Sequence, residues 1–142
     1  MFLGTYIHRL DSKGRLTLPS KFRPFVGREL VVTKGMDRCL FLFPQERWQP
    51  LAQKLDALPL GKREARRARR WLLGNASVVS PDRMGRILLP AALREYAGID
   101  QDVVIVGLET YMELWAPEAW HKELESAEES GLVEEQWELL EI

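Results

Sequence analysis

The sequence predicts an α+β fold that is mainly β, built from two copies of one module related by a pseudo-twofold axis. Three observations carry this expectation: a repeated nonapeptide, apolar–polar alternation on both sides of it, and a chain length that suits one shared core. "DSKGRLTLP", Asp11 to Pro19, returns as "DRMGRILLP", Asp82 to Pro90, and the same 71-residue shift carries Arg23 onto Arg94 and Gly27 onto Gly98. After one inserted residue the register resumes: "LVVTKG" matches "VVIVG", Leu42 matches Leu114 and Trp48 matches Trp120. With 142 residues, 46% of them hydrophobic, the chain can build one ordinary core or two very small halves that share one.

The elements can be taken in order. "TYIHRLD" and "RLTLP" alternate apolar and polar residues around a Gly-containing turn, the pattern of a β-hairpin, and "SVVS" with "RILLP" repeats it in copy two. Gly14 and Gly85 supply positive φ in these turns, where Asp11 and Asp82 can accept backbone N–H bonds. Pro19 and Pro90 end the strands and open short helices, "PSKFRPFVG" and "PAALREYAG", each stopped by a glycine. Second hairpins, "ELVVTKGMDRCLFLFP" and "DVVIVGLETYMELWAP", turn near Gly35 to Arg38 and Gly107 to Thr110, and each leads into a helix holding Trp48 or Trp120. The expected divisions are a first module over residues 5–50, a helical connector over 51–75, a second module over 76–122 and an acidic C-terminal helix or tail over 123–142. A single copy is too small to bury its own faces, so the two are expected to pack together with strands interleaved between copies.

The net charge of −1 conceals strong sorting along the chain. From Ser12 to Arg28 there are five cations and no acid, and "KREARRARR", Lys62 to Arg70, holds six cations against Glu64. After Pro117 nine glutamates accompany Lys122. A polyanion can therefore be met locally by a slightly acidic protein. No run of about 18 apolar residues is present and Arg9 and Asp11 interrupt the N-terminus early, so the expectation is a cytoplasmic protein with neither membrane span nor export signal. Cys39, in "CLFLF", reads as a small buried hydrophobe. His8 and His121 lack partners at metal-ligand spacing, and no phosphate loop, nucleophile elbow or His-Glu-x-x-His is present, so neither metal, cofactor nor catalysis is expected. The five tryptophans, Trp137 among them, read as core or interface.

"DSKGRLTLP" and "DRMGRILLP", in register and preceded by the "GxxxxxLDxKGR" start, resemble the MraZ family, whose members are built from two SpoVT/AbrB-like modules. The likeness runs from the N-terminus through Trp120 and leaves the acidic tail aside. It implies a swapped-hairpin β-barrel core, made here by one chain where AbrB-type proteins use two. It also implies a bacterial, nucleoid-associated transcriptional regulator that binds double-stranded DNA at short direct repeats in the promoter of the division and cell-wall gene cluster, as a ring-like homo-oligomer.

Basic side chains on solvent-facing turns can contact phosphates, and an arginine fork can take a guanine edge in bidentate fashion. The candidate DNA-binding residues are Lys13 and Arg15 at the first turn, Arg83 and Arg86 at the second, and Arg9 one strand earlier. Asp11, Gly14, Asp82 and Gly85 are expected to shape and orient the motif. A purely structural reading stands beside this one: Asp11 pairs with Arg15, and Asp82 with Arg86, only to hold each hairpin. Copy two departs by placing Arg83-Met84 where Ser12-Lys13 stand. Lys21, Arg23 and Arg94 on the short helices either support phosphate contacts or are solvated.

In "KREARRARRWLLG", Leu60, Arg63, Ala65, Ala68, Trp71 and Leu72 recur at near-helical spacing and give an apolar and a cationic side. That cationic side either meets DNA or faces the acidic C-terminal helix of this or a neighbouring subunit. Two rival functions remain: an AbrB-like antitoxin and autoregulator with a toxin-binding tail, and a structural ring-former without selective DNA binding.

Overall fold

The computed structural model describes residues 1–130, 136 and 138–141. The expectations for Glu134, Glu135 and Trp137 lie outside the described residues. The strands are β1 (Phe2–Arg9), β2 (Arg15–Thr17), β3 (Leu30–Lys34), β4 (Leu40–Pro44), β5 (Ser77–Val79), β6 (Arg86–Leu88), β7 (Asp102–Glu109) and β8 (Met112–Trp115). The helices are α1 (Gln45–Asp56), α2 (Arg63–Leu72), α3 (Ala91–Ala97) and α4 (Pro117–Glu129). The fold is α+β and mainly β, with one large antiparallel sheet in the order β1-β7-β8-β4-β3-β5 and a separate two-stranded ladder, β2-β6.

The strand pairs cross between copies. β1 pairs with β7 along its whole length, from Phe2 opposite Glu109 to Arg9 opposite Asp102, and the repeat-equivalent β5 pairs with β3 from Leu30 opposite Val79 to Val32 opposite Ser77. The second hairpins form within each copy as the sequence indicates, β3 with β4 and β7 with β8. The first hairpins do not: the turns close, but β2 leaves β1 to pair with β6. Two equivalent residues face each other in β2-β6, where Leu16 opposes Ile87, and again in β4-β8, where Phe41 opposes Glu113. The pseudo-twofold axis therefore runs through these two pairs.

The expected barrel is not closed. β1 and β5 are the two edges of the large sheet, because β2 and β6 bond to each other and join neither edge. This pair closes over the inner face of the sheet with its own buried side chains. Leu16, Leu18, Ile87 and Leu89 join Leu30, Val32, Leu40, Leu42, Ile105 and Leu114 in one cluster, sealed by Phe22 and Leu93. Each such side chain contributes on the order of 1.5–3 kcal/mol through burial. A smaller cluster on the outer face, Cys39, Val104, Val106 and Trp115, lies against Trp120 of α4. Burial pushes the Cys39 thiol pKa well up, and its Sγ donates to the Met36 carbonyl at 3.0 Å.

The short helices differ between copies. Copy two forms α3, seven residues ending at Gly98, whereas copy one forms only a 3-10 turn over Arg23–Phe25. Pro24 stands where copy two has Glu95; it has no N–H to give to an i−4 carbonyl, so the α-helical ladder cannot form there. Trp48, Trp115 and Trp120 pack among other aromatic rings; Trp71 is 36% exposed, meets the Tyr96 ring edge to face with centroids 5.5 Å apart, and donates its Nε1–H to the Gly35 carbonyl at 3.1 Å. Leu60 is likewise exposed and precedes α2.

Candidate nucleic-acid interface

The two nonapeptides build one continuous feature. Three ladder pairs join β2 and β6, and the ladder is extended at both ends by Leu18 N–H donating to the Gly85 carbonyl at 2.9 Å and Leu89 N–H donating to the Gly14 carbonyl at 3.1 Å. Each turn therefore abuts the strand end of the other copy. Alternation along the ladder sends Leu16 and Ile87 into the core and leaves Arg15, Thr17, Arg86 and Leu88 on the outward face. Arg15 and Arg86 occupy diagonal positions on that face.

Each turn is shaped by its aspartate. Asp11 Oδ1 accepts from the backbone N–H groups of Lys13 and Arg15, both at 2.9 Å, while its Oδ2 accepts from Arg15 Nε at 2.6 Å. Asp82 does the same with Met84 N–H and Arg86 N–H at 2.9 Å and Arg86 Nε at 2.7 Å. The Arg15 backbone N–H and then its side chain hold the Asp11 carboxyl at a pKa of about 2, and the matching bonds from Arg86 lower that of Asp82. Gly14 and Gly85 adopt φ of +80° and +75°, a region costly to residues with a Cβ.

In both arginines Nε is the nitrogen bonded to the aspartate, and among the described residues neither Nη nitrogen makes a hydrogen bond. The Arg15 side chain is 31% exposed and that of Arg86 is 25% exposed. Arg86 Nη1 also approaches Asp11 Oδ2, at 4.0 Å, which couples the two motifs across the axis. The ion pairs expected from sequence are thus present, and they position the arginines without sequestering them.

Two further cations arrive from the opposite copies. A Cβ on Gly14 would lie 3.1 Å from Arg94 Cζ, and one on Gly85 would lie 2.4 Å from Arg23 Nε, so the Arg94 guanidinium covers the first turn and Arg23 the second. Arg94 Nε also donates to the Leu89 carbonyl at 3.1 Å. The sequence places Arg23 and Arg94 on the short helices; the only signal of their reciprocal reach across the axis is their matching position in the repeat. Lys13 and Arg83 project from the turns and are exposed. Arg9 stands apart, at the end of β1, where its Nη2 donates to Gln101 Oε1. His8 Nδ1 lies 2.6 Å from the Thr17 carbonyl and ties β1 to the ladder.

The arginines of α2 divide. Arg69 donates to the carbonyls of Leu55 (2.7 Å), Asp56 and Leu58 (2.8 Å) and so caps the end of α1, and Arg66 donates to the Leu60 carbonyl at 2.8 Å. Among the described residues no α2 cation pairs with a carboxylate of α4, so the expected contact with the acidic helix of the same chain is not made. Arg66 and Arg69 are instead engaged by carbonyls at and just after the end of α1. Among the described residues no cluster of His, Cys, Asp or Glu could hold a metal, and no helix is long and apolar enough to cross a membrane.

Fold and site together define a two-module protein in which strand exchange between internal repeats presents a symmetric pair of aspartate-braced basic turns. The family model described as "MraZ protein, putative antitoxin-like" matches this chain twice, over residues 1–71 and 72–140. A relative from Syntrophomonas wolfei, "Transcriptional regulator MraZ", is 48% identical over 92% of this chain and 91% of its own length. Proteins of the same name from Thermomicrobium roseum and Carboxydothermus hydrogenoformans are each 46% identical, covering 88% and 85% of both chains respectively. The chain belongs to the MraZ family.

Proposed function

We propose that this protein is a sequence-specific DNA-binding transcriptional regulator, without enzymatic activity, of the division and cell-wall gene cluster. It binds direct repeats in promoter DNA as a ring-like homo-oligomer and works in the cytoplasm at the nucleoid. The observation that carries the reading is the pair of turns, each with an arginine held at Nε by an aspartate and with its outer nitrogens left without a hydrogen bond among the described residues. The name shared by the relatives, transcriptional regulator, supports the same reading.

In this mechanism Arg15 and Arg86 take base edges or phosphates, while Lys13, Arg83, Arg23 and Arg94 neutralise the flanking backbone. Arg9 adds a contact at the margin. The eight strands are the swapped-hairpin core of two SpoVT/AbrB-like modules, residues 5–50 and 76–122, joined by the connector 51–75 and followed by the acidic segment 123–142. One pair of turns covers little DNA, so several copies in one assembly gain affinity on repeated boxes through effective concentration.

Footprinting on DNA upstream of its own gene tests the proposal, with protection of spaced direct repeats expected and sequence-independent coating overturning it. Gel-shift titration should show binding that weakens steeply with salt, since each neutralised phosphate releases counterions. The antitoxin reading is favoured only by the family description and would be distinguished by a toxin co-purifying with the chain.

A further inference from the structure

Arg66 and Arg69 are engaged inside the chain, but Arg63, Arg67 and Arg70 succeed one another at i, i+4 and i+7 on an exposed side of α2, and their side chains make no hydrogen bond or ion pair among the described residues. Like charges at this spacing oppose the helix that carries them. Arg67 and Arg70 also border a shallow groove of about 650 Å³ whose other walls include Lys34, Met36 and Trp71. Among the described residues no carboxylate lines it. Lys34 Nζ lies 5.1 Å from the Trp71 ring centroid, and Met36 is 53% exposed. The surface is therefore cationic at its rim and apolar between the charges.

The same chain carries the complement elsewhere. Glu118, Glu125, Glu128 and Glu129 are exposed on α4, and further on Leu139 (82% exposed) and Leu140 (59% exposed) stand between Glu138 and Glu141. α4 packs on β7 and α2 on β3, three strand spacings apart in the sheet, roughly 14 Å at about 4.8 Å per strand.

We propose that α4 of a second copy lies along the Arg63-Arg67-Arg70 face and that Leu139 and Leu140 of that copy enter the groove beside Trp71. The two patches differ, so the contact is heterologous: every copy added leaves one patch of each kind free, and the series ends only when a ring closes. This gives an interface to the ring of the proposed function and rests on that part of it. It is independent of the DNA-binding turns.

Two charge-reversed variants test it, R67E/R70E and E125K/E128K, with assembly mass read by native mass spectrometry at low salt and folding checked by circular dichroism. Each alone sets like charges against each other and should fall to small species. An equimolar mixture should recover the wild-type mass, because alternating the two variants makes every interface attractive again. Wild-type mass in either variant alone, or a mixture no larger than its components, overturns the proposal, as does a monomeric wild-type protein. Reversal of α2 that releases a bound foreign protein or an anionic small molecule while leaving the mass unchanged assigns the groove to that other occupant. A gel shift on a duplex with a single box separates the two readings: it should persist in both variants and weaken by about 10- to 100-fold in Arg15→Ala, whose mass should be unchanged.

Discussion

In the turn at Asp11 to Gly14 the carboxylate receives the N–H groups of Lys13 and Arg15, and in the turn at Asp82 to Gly85 it receives those of Met84 and Arg86, at the same 2.9 Å. The glycine φ values agree within a few degrees, +80° and +75°. The side chains displayed are not the same. The first turn presents Ser12 and Lys13; the second presents Arg83 and a methionine that is 60% exposed. The segments downstream of the two strands differ as well, a 3-10 turn at Pro24 against the α-helix α3. Residues that fix backbone geometry repeat in identity, Asp11 as Asp82 and Gly14 as Gly85, and core positions repeat in apolar character, Leu16 as Ile87 and Phe22 as Leu93, while Ser12-Lys13 and Arg83-Met84 share neither. The two turns are thus equal as scaffolds and unequal as ligands for a phosphate backbone.

The largest expected effect of this inequality is in DNA affinity. Arg15→Ala should weaken promoter binding by about 10- to 100-fold, the loss of one good bidentate contact at about 1–3 kcal/mol. Arg86→Ala should weaken it less, because Met84 gives its turn no cation at the position of Lys13. On a duplex with a single box, where assembly adds no affinity, Arg70→Ala on α2 should have the smallest effect of the three. Equal losses from Arg15→Ala and Arg86→Ala in gel-shift titrations would show the turns to be equivalent, and a larger loss from Arg70→Ala on the single box would remove them from the mechanism.

The scaffolds can be separated by their glycines. A Cβ at either position meets the positive-φ cost of about 1–2 kcal/mol. At Gly85 it would also lie 2.4 Å from Arg23 Nε, against 3.1 Å from Arg94 Cζ at Gly14, so more must move. Gly85→Ala should therefore lower Tm further than Gly14→Ala, with a few degrees expected for each kcal/mol in a chain of this size. Identical melts would mean that Arg23 swings away freely.

A milder change runs in the opposite direction. Met84→Lys makes the second turn resemble the first, and the exposed side chain has no packing to lose. Binding should tighten several-fold, and the slope of log K against log salt should steepen by about 0.9 for the added phosphate contact. An unchanged slope would place the second turn away from the DNA backbone.

Much of this arrangement was legible in the sequence, and the part that was not has a physical cause. Alternation marked Leu16, Leu18, Ile87 and Leu89 as core because a strand's side-chain period is a local property. Asp11 and Arg15 were readable as a pair because four residues across a turn bring them together. Partnership between strands is not local. That copies must interleave followed from their size, but the departure of β2 from β1 toward β6 depends on which apolar faces meet over the core, and no short stretch encodes it. Arg69 shows the same limit: in sequence it is one of six cations in a basic run, and only the return of α1 beside α2 makes it a cap for the carbonyls of Leu55, Asp56 and Leu58. Pro24 marks a different limit: the repeat predicts a short helix in both copies, but a residue without an N–H at that place leaves copy one only a 3-10 turn.

The smallest expected effect is on the pH dependence of stability, where the two aspartates should act alike. Both carboxyls have a lower pKa in the folded protein than in the unfolded chain, Asp11 at about 2 against an ordinary 3.8. The unfolded chain then binds protons first as pH falls, so the stabilisation is fully present above the ordinary value and is lost as pH drops from about 4 through about 2. As far as these groups are concerned, Tm should not vary with pH near neutrality and should decline over that acid window. Asp11→Asn and Asp82→Asn keep one acceptor oxygen for the backbone N–H groups but lose the charge that holds the arginine, so each should flatten part of the acid decline and lower Tm at pH 7. A wild-type acid decline unaltered in both variants would mean that other carboxylates dominate it. Flattening in only one would carry the inequality of the turns down into their scaffolds, where the matched 2.9 Å bonds give no sign of it.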